Sequence, residues 1–289
     1  MQVPGLPNPG VWERRILSTL VGRLLYPPRN GGPWPVPPGL ERVTGRGRDG
    51  STLIGLHAPH ADPRGVVVLV HPDRRYGKHW FDREGWFGHL ADHGYASMAF
   101  DLTPYGESHG GQLYLHDQVL GMVDTARDTH PGVPLHLVGL SLGAFASMNA
   151  APEIPDLDSL TLESPYPTFQ TWYDAVDAGF PAKVNRLLER AFTTSYRRID
   201  AGRNIAQATA KRILVAATSP DTVTPTRLSR AVARSAPQGR TTYLELEGVE
   251  HLGLFHDARY REALIATLNG EKVEGTRPDV APLLVTDAA

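Results

Sequence analysis

The run Pro134-Leu135-His136-Leu137-Val138 leads straight into Gly139-Leu140-Ser141-Leu142-Gly143 and then into Ala144-Phe145-Ala146-Ser147-Met148-Asn149-Ala150. An apolar stretch of strand length, a glycine-flanked serine and a run of small residues read as strand, sharp turn and helix. Glycine on either side of the serine lets backbone and helix approach where a Cβ would clash. Such a joint belongs to a layered fold in which strands alternate with helices.

The rest of the chain keeps that alternation. Residues 66–71, 96–101, 135–140, 159–163, 212–218 and 241–247 are short apolar runs rich in β-branched or aromatic side chains. Helical patterns over 80–93, 113–130, 142–151, 226–236 and 257–268 separate most of them. Near-continuous apolar strands between helices predict a parallel sheet covered on both faces. Residues 41–45 and 51–58 flank Asp49-Gly50, a hairpin signal, so an antiparallel pair is expected to open the domain. The expected fold class is α/β, a doubly wound and mostly parallel sheet.

One gap breaks the rhythm. Between 163 and 212 lie almost fifty residues with aromatic side chains and a helical stretch over 184–192, too long and too patterned for a loop. We expect a small helical cap at 166–211, inserted into a core formed by 40–165 and 212–270. Residues 1–39 read as an N-terminal helix followed by a Pro/Gly-rich arm, and 271–289 as a tail. In the N-terminal stretch Trp12, Ile16, Leu20 and Leu24 share a helical face near arginines. Packing on the domain is favoured there over contact with a membrane or a partner.

Charge narrows the function. Lys+Arg number 29 against Asp+Glu 31, for a formal net charge of -2, with no basic block that would track a nucleic-acid backbone. The absence of cysteine removes disulfides, thiolate metal sites and a cysteine nucleophile. No run has the length of a membrane span and no secretory leader is visible, so a cytoplasmic protein is expected.

A serine hydroxyl needs a base to take its proton, and the base needs an acceptor to orient it. Downstream of Ser141, residues 214–218 run into Asp221-Thr222-Val223-Thr224-Pro225, and 243–246 run into Gly248-Val249-Glu250-His251. An acid and a histidine thus follow two successive strands, at the end where open parallel sheets place their ligands. Phe100-Asp101-Leu102-Thr103-Pro104-Tyr105-Gly106-Glu107-Ser108 adds a fourth element. From about 42 to 268 the chain resembles the α/β-hydrolase-fold serine hydrolases, which carry a nucleophile elbow, an Asp-x-Val-x-Pro-like segment, a Gly-x-x-His segment and an Asp-x-Arg-Gly-x-Gly-x-Ser loop in these places.

The resemblance implies Ser141 as nucleophile, His251 as general base and acid, and Asp221 as orienter, with Glu163 the rival acid. It implies an oxyanion hole from the backbone N–H of Leu142 and of Asp73 in Val70-His71-Pro72-Asp73. Pro72 stands where the family has glycine, and Thr103-Pro104 replace its Arg-Gly. An acidic side chain at 73 suits an oxyanion only if it points away. Neither cofactor nor metal is implied.

Other features read as structural. His71 is expected to brace a strand end and His256 to start a helix. His89 and His93 share a helix face without the glutamate or third ligand of a zinc site. Gly45-Arg46-Gly47-Arg48-Asp49-Gly50 matches a dinucleotide fingerprint, but a strand follows it, so it reads as a hairpin turn. Arg74 and Arg75 beside the oxyanion loop could bind a carboxylate or phosphate of the substrate, although a solvated pair is the more common reading. The expected activity is hydrolysis of a small or medium acyl ester or thioester, with Tyr166, Phe169 and Trp172 as substrate-binding residues and Tyr173 and Phe180 as further lining. An amidase, peptidase, carbon–carbon hydrolase or perhydrolase, and a binding protein with a spoiled oxyanion hole, stay open.

Overall fold

A computed structural model describes residues 33–110 and 114–276. The expected N-terminal helix, the first half of the arm, Leu113 and the tail beyond 276 lie outside the described residues.

Eight strands form one sheet: β1 (Glu41–Arg46), β2 (Thr52–Ala58), β3 (Val66–Val70), β4 (Ala96–Phe100), β5 (Leu135–Leu140), β6 (Leu157–Glu163), β7 (Arg212–Ser219) and β8 (Thr241–Glu247). Their order is β1-β2-β4-β3-β5-β6-β7-β8. β1 pairs antiparallel with β2, and β2 antiparallel with β4, while every other pairing is parallel. The turn joining β1 to β2 is the Gly-rich hairpin, where the Gly47 N–H donates to Ser51 O at 2.9 Å and Gly50 takes φ +86°. A backbone shaped this way holds no helix N-terminus for a pyrophosphate.

The apolar strand runs divide by alternation. Val66, Val68 and Val70 join one buried cluster, Val67 and Leu69 the other. Side chains of successive strand residues point to opposite faces, so a strand buried on both sides needs apolar residues at every position. The first face is covered by α3 (Leu115–Thr129), α4 (Leu142–Ala150) and α9 (Thr226–Ser235), the second by α1 (His79–Arg83), α2 (Trp86–Asp92) and α10 (Ala258–Asn269).

The expected single helix over 80–93 is two. Gly85 takes φ +81° at the start of α2, a left-handed turn that ends α1 and re-aims the chain so that Trp86 stacks on Phe255 at 4.1 Å. Between β6 and β7 stand α5 (Phe169–Ala175), α6 (Phe180–Ala191), α7 (Thr193–Arg198) and α8 (Ala201–Ile205). The segment is more helical than the pattern over 184–192 predicts, because Thr168 caps α5 reciprocally with Thr171 and Pro181 opens α6. Its far end is part of the main core: Ile199, Ala201 and Ile205 are buried in the first cluster, and Asn204 Nδ2 donates to Asn149 Oδ1 at 2.7 Å.

Candidate active site

β5 ends in the predicted elbow. Ser141 sits at φ 51°, ψ -109°, a conformation that costs a non-glycine residue on the order of 1–3 kcal/mol and persists only where the surroundings impose it. Here they do: the Ser141 N–H donates to Glu163 O at 2.8 Å, and Phe145 N–H donates to Ser141 O at 3.0 Å. A Cβ on Gly143 would collide with the carbonyl oxygens of Val70 and His71, and one on Gly139 with Gly143 O and the Ser147 side chain. Both glycines of the motif are therefore dictated by close approach of backbone.

Past β7, Asp221 is locked by its own loop. Its Oδ1 accepts from the N–H groups of Val223 and Thr224, each at 2.8 Å, and its Oδ2 accepts from Ser164 Oγ at 3.2 Å. Past β8, His251 Nδ1 lies 2.7 Å from the same Oδ2. Burial alone would raise the Asp221 carboxyl, but the bonds from His251, Thr224 and Val223 hold it below its usual value. An ionised acceptor fixes Nδ1 as the protonated nitrogen, which leaves Nε2 as the basic one. Thr218 Oγ1 donates to Val249 O and ties the histidine loop to β7.

Glu163, the rival acid, goes elsewhere. Its carboxyl is fully buried, both oxygens lack a hydrogen-bond partner, and the Tyr260 hydroxyl lies near it outside hydrogen-bond geometry. Burial, with the nearby Asp221 charge, pushes it up to about 8. Asp221, not Glu163, is the carboxylate that meets the imidazole.

Ser141, His251, Leu142 and Asp73 all line one pocket of about 200 Å³. Among the described residues no hydrogen bond joins the Ser141 hydroxyl to the imidazole; catalytic contacts of this kind tighten as the substrate is engaged. The Leu142 N–H belongs to the first turn of α4, where donors have no intrahelical acceptor. On the other side His71 is fully buried between Pro72 O, 2.7 Å from Nδ1, and the Leu102 N–H, which donates to Nε2 at 2.9 Å. Burial lowers its pKa, so the ring is neutral and acts as a bracket for the Pro72 turn, as the sequence suggests. The Asp73 carboxylate is held on the Tyr105 hydroxyl at 2.7 Å, and Tyr105 is not part of the pocket wall. The acidic side chain thus has a hydrogen-bond donor of its own beside the pocket.

Tyr166, Phe169, Trp172 and Tyr173 also line the pocket, and Pro72, Val223, Leu252 and Arg74 join them, so that Arg74 is a pocket residue and not only a solvated one. Tyr166 stacks on Phe145 at 5.1 Å, and Trp172 Nε1 donates to Val223 O at 2.7 Å, tying α5 to the acid loop. Phe180 does not line the pocket; it is 76% exposed on α6. The expectation failed because an aromatic residue in this segment serves either the pocket or a surface.

Two supports escape sequence reading. Ser164, at φ 48° after β6, donates to the acid, and nothing in its neighbourhood of the sequence marks it. Lys78 is buried, and its Nζ lies 2.6 Å from Asp101 and 2.9 Å from Glu107, supplying the cation for a loop in which Thr103 replaces the family's arginine. Elsewhere His256 pairs with Glu84 at 2.7 Å, and the rings of His89 and His93 meet at a tilt, 4.5 Å apart. No group of three metal-ligating side chains that could hold an ion occurs among the described residues.

Residues 61–212, more than half of the chain, match the sequence profile of the serine aminopeptidases of type S33. The chain belongs to the serine aminopeptidase S33 family. Members are α/β hydrolases, and solved structures agree on the fold of this S33-family chain. An esterase of Pyrococcus furiosus superposes with a TM-score of 0.66 at 17% identity, covering 85% of this chain and 97% of its own. A thermostable carboxyl esterase of Bacillus coagulans gives 0.61 at 13% identity, covering 80% and 98%. No curated protein matches the S33-family chain.

Proposed function

We propose that this α/β hydrolase cleaves carboxylic esters or thioesters through an acyl-enzyme on Ser141. The observation that carries the reading is the His251–Asp221 hydrogen bond of 2.7 Å on the wall of the pocket that also holds the strained Ser141. Ser141 Oγ attacks the acyl carbon while its proton passes to His251 Nε2, and Asp221 stabilises the imidazolium. The oxyanion takes the N–H groups of Leu142 and Asp73. Collapse breaks the bond to the alkoxide or thiolate, which leaves with the proton from His251. Water then loses a proton to His251 and attacks the acyl carbon, and the bond to Ser141 Oγ breaks as His251 returns the proton to that oxygen, which releases the acid and restores the enzyme. The helices between β6 and β7 act as a cap, with Tyr166, Phe169 and Trp172 against the acyl chain. The similarity to esterases supports the ester reading.

The family's own description, a serine aminopeptidase, favours a second reading. An exposed Asp73 carboxylate at the pocket wall would suit a substrate ammonium. Nitrophenyl esters of graded acyl length, an acyl thioester and aminoacyl nitroanilides, assayed side by side, separate the two. The first reading predicts ester or thioester turnover well above anilide turnover. Faster cleavage of the aminoacyl anilides replaces it with the second.

A further inference from the structure

Helix α6 is anchored by one face and bare on the other. Inward, Ala182 and Asn185 are buried, and Asn185 is gripped from two sides: Nδ2 donates to Gln170 Oε1 and Oδ1 accepts from Tyr196 OH, each at 3.0 Å. Outward, Phe180, Val184, Leu187 and Ala191 recur at i, i+4, i+7 and i+11, a single helical stripe. Phe180 is 76% and Leu187 68% exposed, the two barest large apolar side chains among the described residues. A contiguous apolar strip facing water marks an interaction surface more often than a scattered residue does.

The charges beside the strip narrow the partner. Lys183 and Arg190 follow Phe180 and Leu187 by three positions each, are exposed, and make no ion pair among the described residues. Arg186 differs, being neutralised by Asp174 at 3.0 Å. The remaining acids nearby are Asp177, in the turn before α6, and Glu189, on its inner flank. Tyr173 lines both the candidate pocket and a surface depression that Ala182 and Lys183 share, so α6 abuts the pocket wall.

We infer that α6 seats the enzyme on an anionic lipid surface, Phe180 and Leu187 entering the headgroup boundary while Lys183 and Arg190 meet the phosphates. Apolar anchors interleaved with unpaired cations are the pattern that such surfaces select. A second copy of the chain fits less well, since a two-fold contact would bring the same cations together over a strip far smaller than the roughly 800 Å² per partner of a standard interface. Docking there brings a lipid-borne ester to the pocket, a consequence that rests on the proposed activity, whereas the docking itself does not.

The test is pelleting of the full chain with vesicles of phosphatidylcholine alone or with phosphatidylglycerol. The wild type is expected to pellet with the phosphatidylglycerol vesicles, and Phe180→Asp with Leu187→Asp to lower the partition coefficient by about tenfold or more. Lys183→Gln with Arg190→Gln should weaken binding to the anionic vesicles only, and added salt should do the same. Neither pair lines the pocket, so hydrolysis of a short soluble ester should be unchanged and serves as the folding control. A wild type that does not pellet, pelleting undiminished by the aspartate pair, or a dimer that this pair dissociates overturns the inference. An inactive wild type that still pellets sinks the ester reading and leaves the docking standing.

Discussion

Asp221 accepts four hydrogen bonds and Glu163 side-chain oxygens accept none, although both carboxyls are buried at the same end of neighbouring strands, Glu163 as the last residue of β6 and Asp221 just past β7. That contrast decides which acid serves His251, and sequence could not decide it, because both residues stand where a triad acid can stand. Asp221→Asn should lower kcat by about 10⁴-fold with little loss of stability, since the amide holds the imidazole in the wrong tautomer; kcat and the thermal midpoint measured together check this. Ser164→Ala removes one of the four bonds and should cost about 0.5–1.5 kcal/mol in transition-state stabilisation, read from kcat/KM. Glu163 sets a pH dependence of stability. Its carboxyl, pushed up to about 8, binds more protons folded than unfolded between its ordinary value near 4.5 and about 8, so this residue makes the fold less stable as pH rises through that window. Urea unfolding of Glu163→Gln should therefore show an advantage over wild type that is small near pH 5 and grows to a few kcal/mol near pH 8. An advantage equal at both ends contradicts a protonated Glu163.

Among elements, the strands were legible because each is apolar at consecutive positions, and Asp49-Gly50 announced the hairpin. The break at Gly85 was not, since a glycine inside a helical pattern signals either a tolerated residue or a left-handed turn, and only the packing of Trp86 on Phe255 selects the turn. The helices after β6 were under-read for another reason: α5, α7 and α8 are five to seven residues long, too short to display periodicity. The elbow itself was read from its glycines, and the structure gives the cause. Gly143→Ala puts a methyl group into the Val70 and His71 carbonyls and should leave protein that is insoluble or unfolded, while Ser141→Ala should not. Lys78 had no signal at all. Lys78→Met strands Asp101, buried and charged, and should destabilise by about 3–5 kcal/mol in denaturant titration.

Over the whole molecule, loops at the C-terminal ends of β5 and β8 bring Ser141 and His251 to one pocket, the loop after β7 places Asp221 on the imidazole, and the sheet order sets their neighbourhood. The order of the motifs along the chain was legible; their meeting was an expectation carried by resemblance, because spacing along a sequence contains no distances. What sequence left unresolved is how the β6–β7 segment attaches. Phe169, Ile199, Ala201 and Ile205 pack into the main cluster, so the segment and the sheet share a core. Thermal unfolding should accordingly be a single transition, and Phe169→Ala should lower it as a whole by about 3–5 kcal/mol rather than release an early phase. All of the proposed chemistry depends on Ser141 as a nucleophile activated by His251. Labelling with a fluorophosphonate probe, with the modified peptide located by mass spectrometry, tests this directly: label on Ser141, absent in Ser141→Ala and strongly reduced in His251→Ala, is the predicted result, and folded wild-type protein that takes up no label, or takes it up equally without His251, contradicts it.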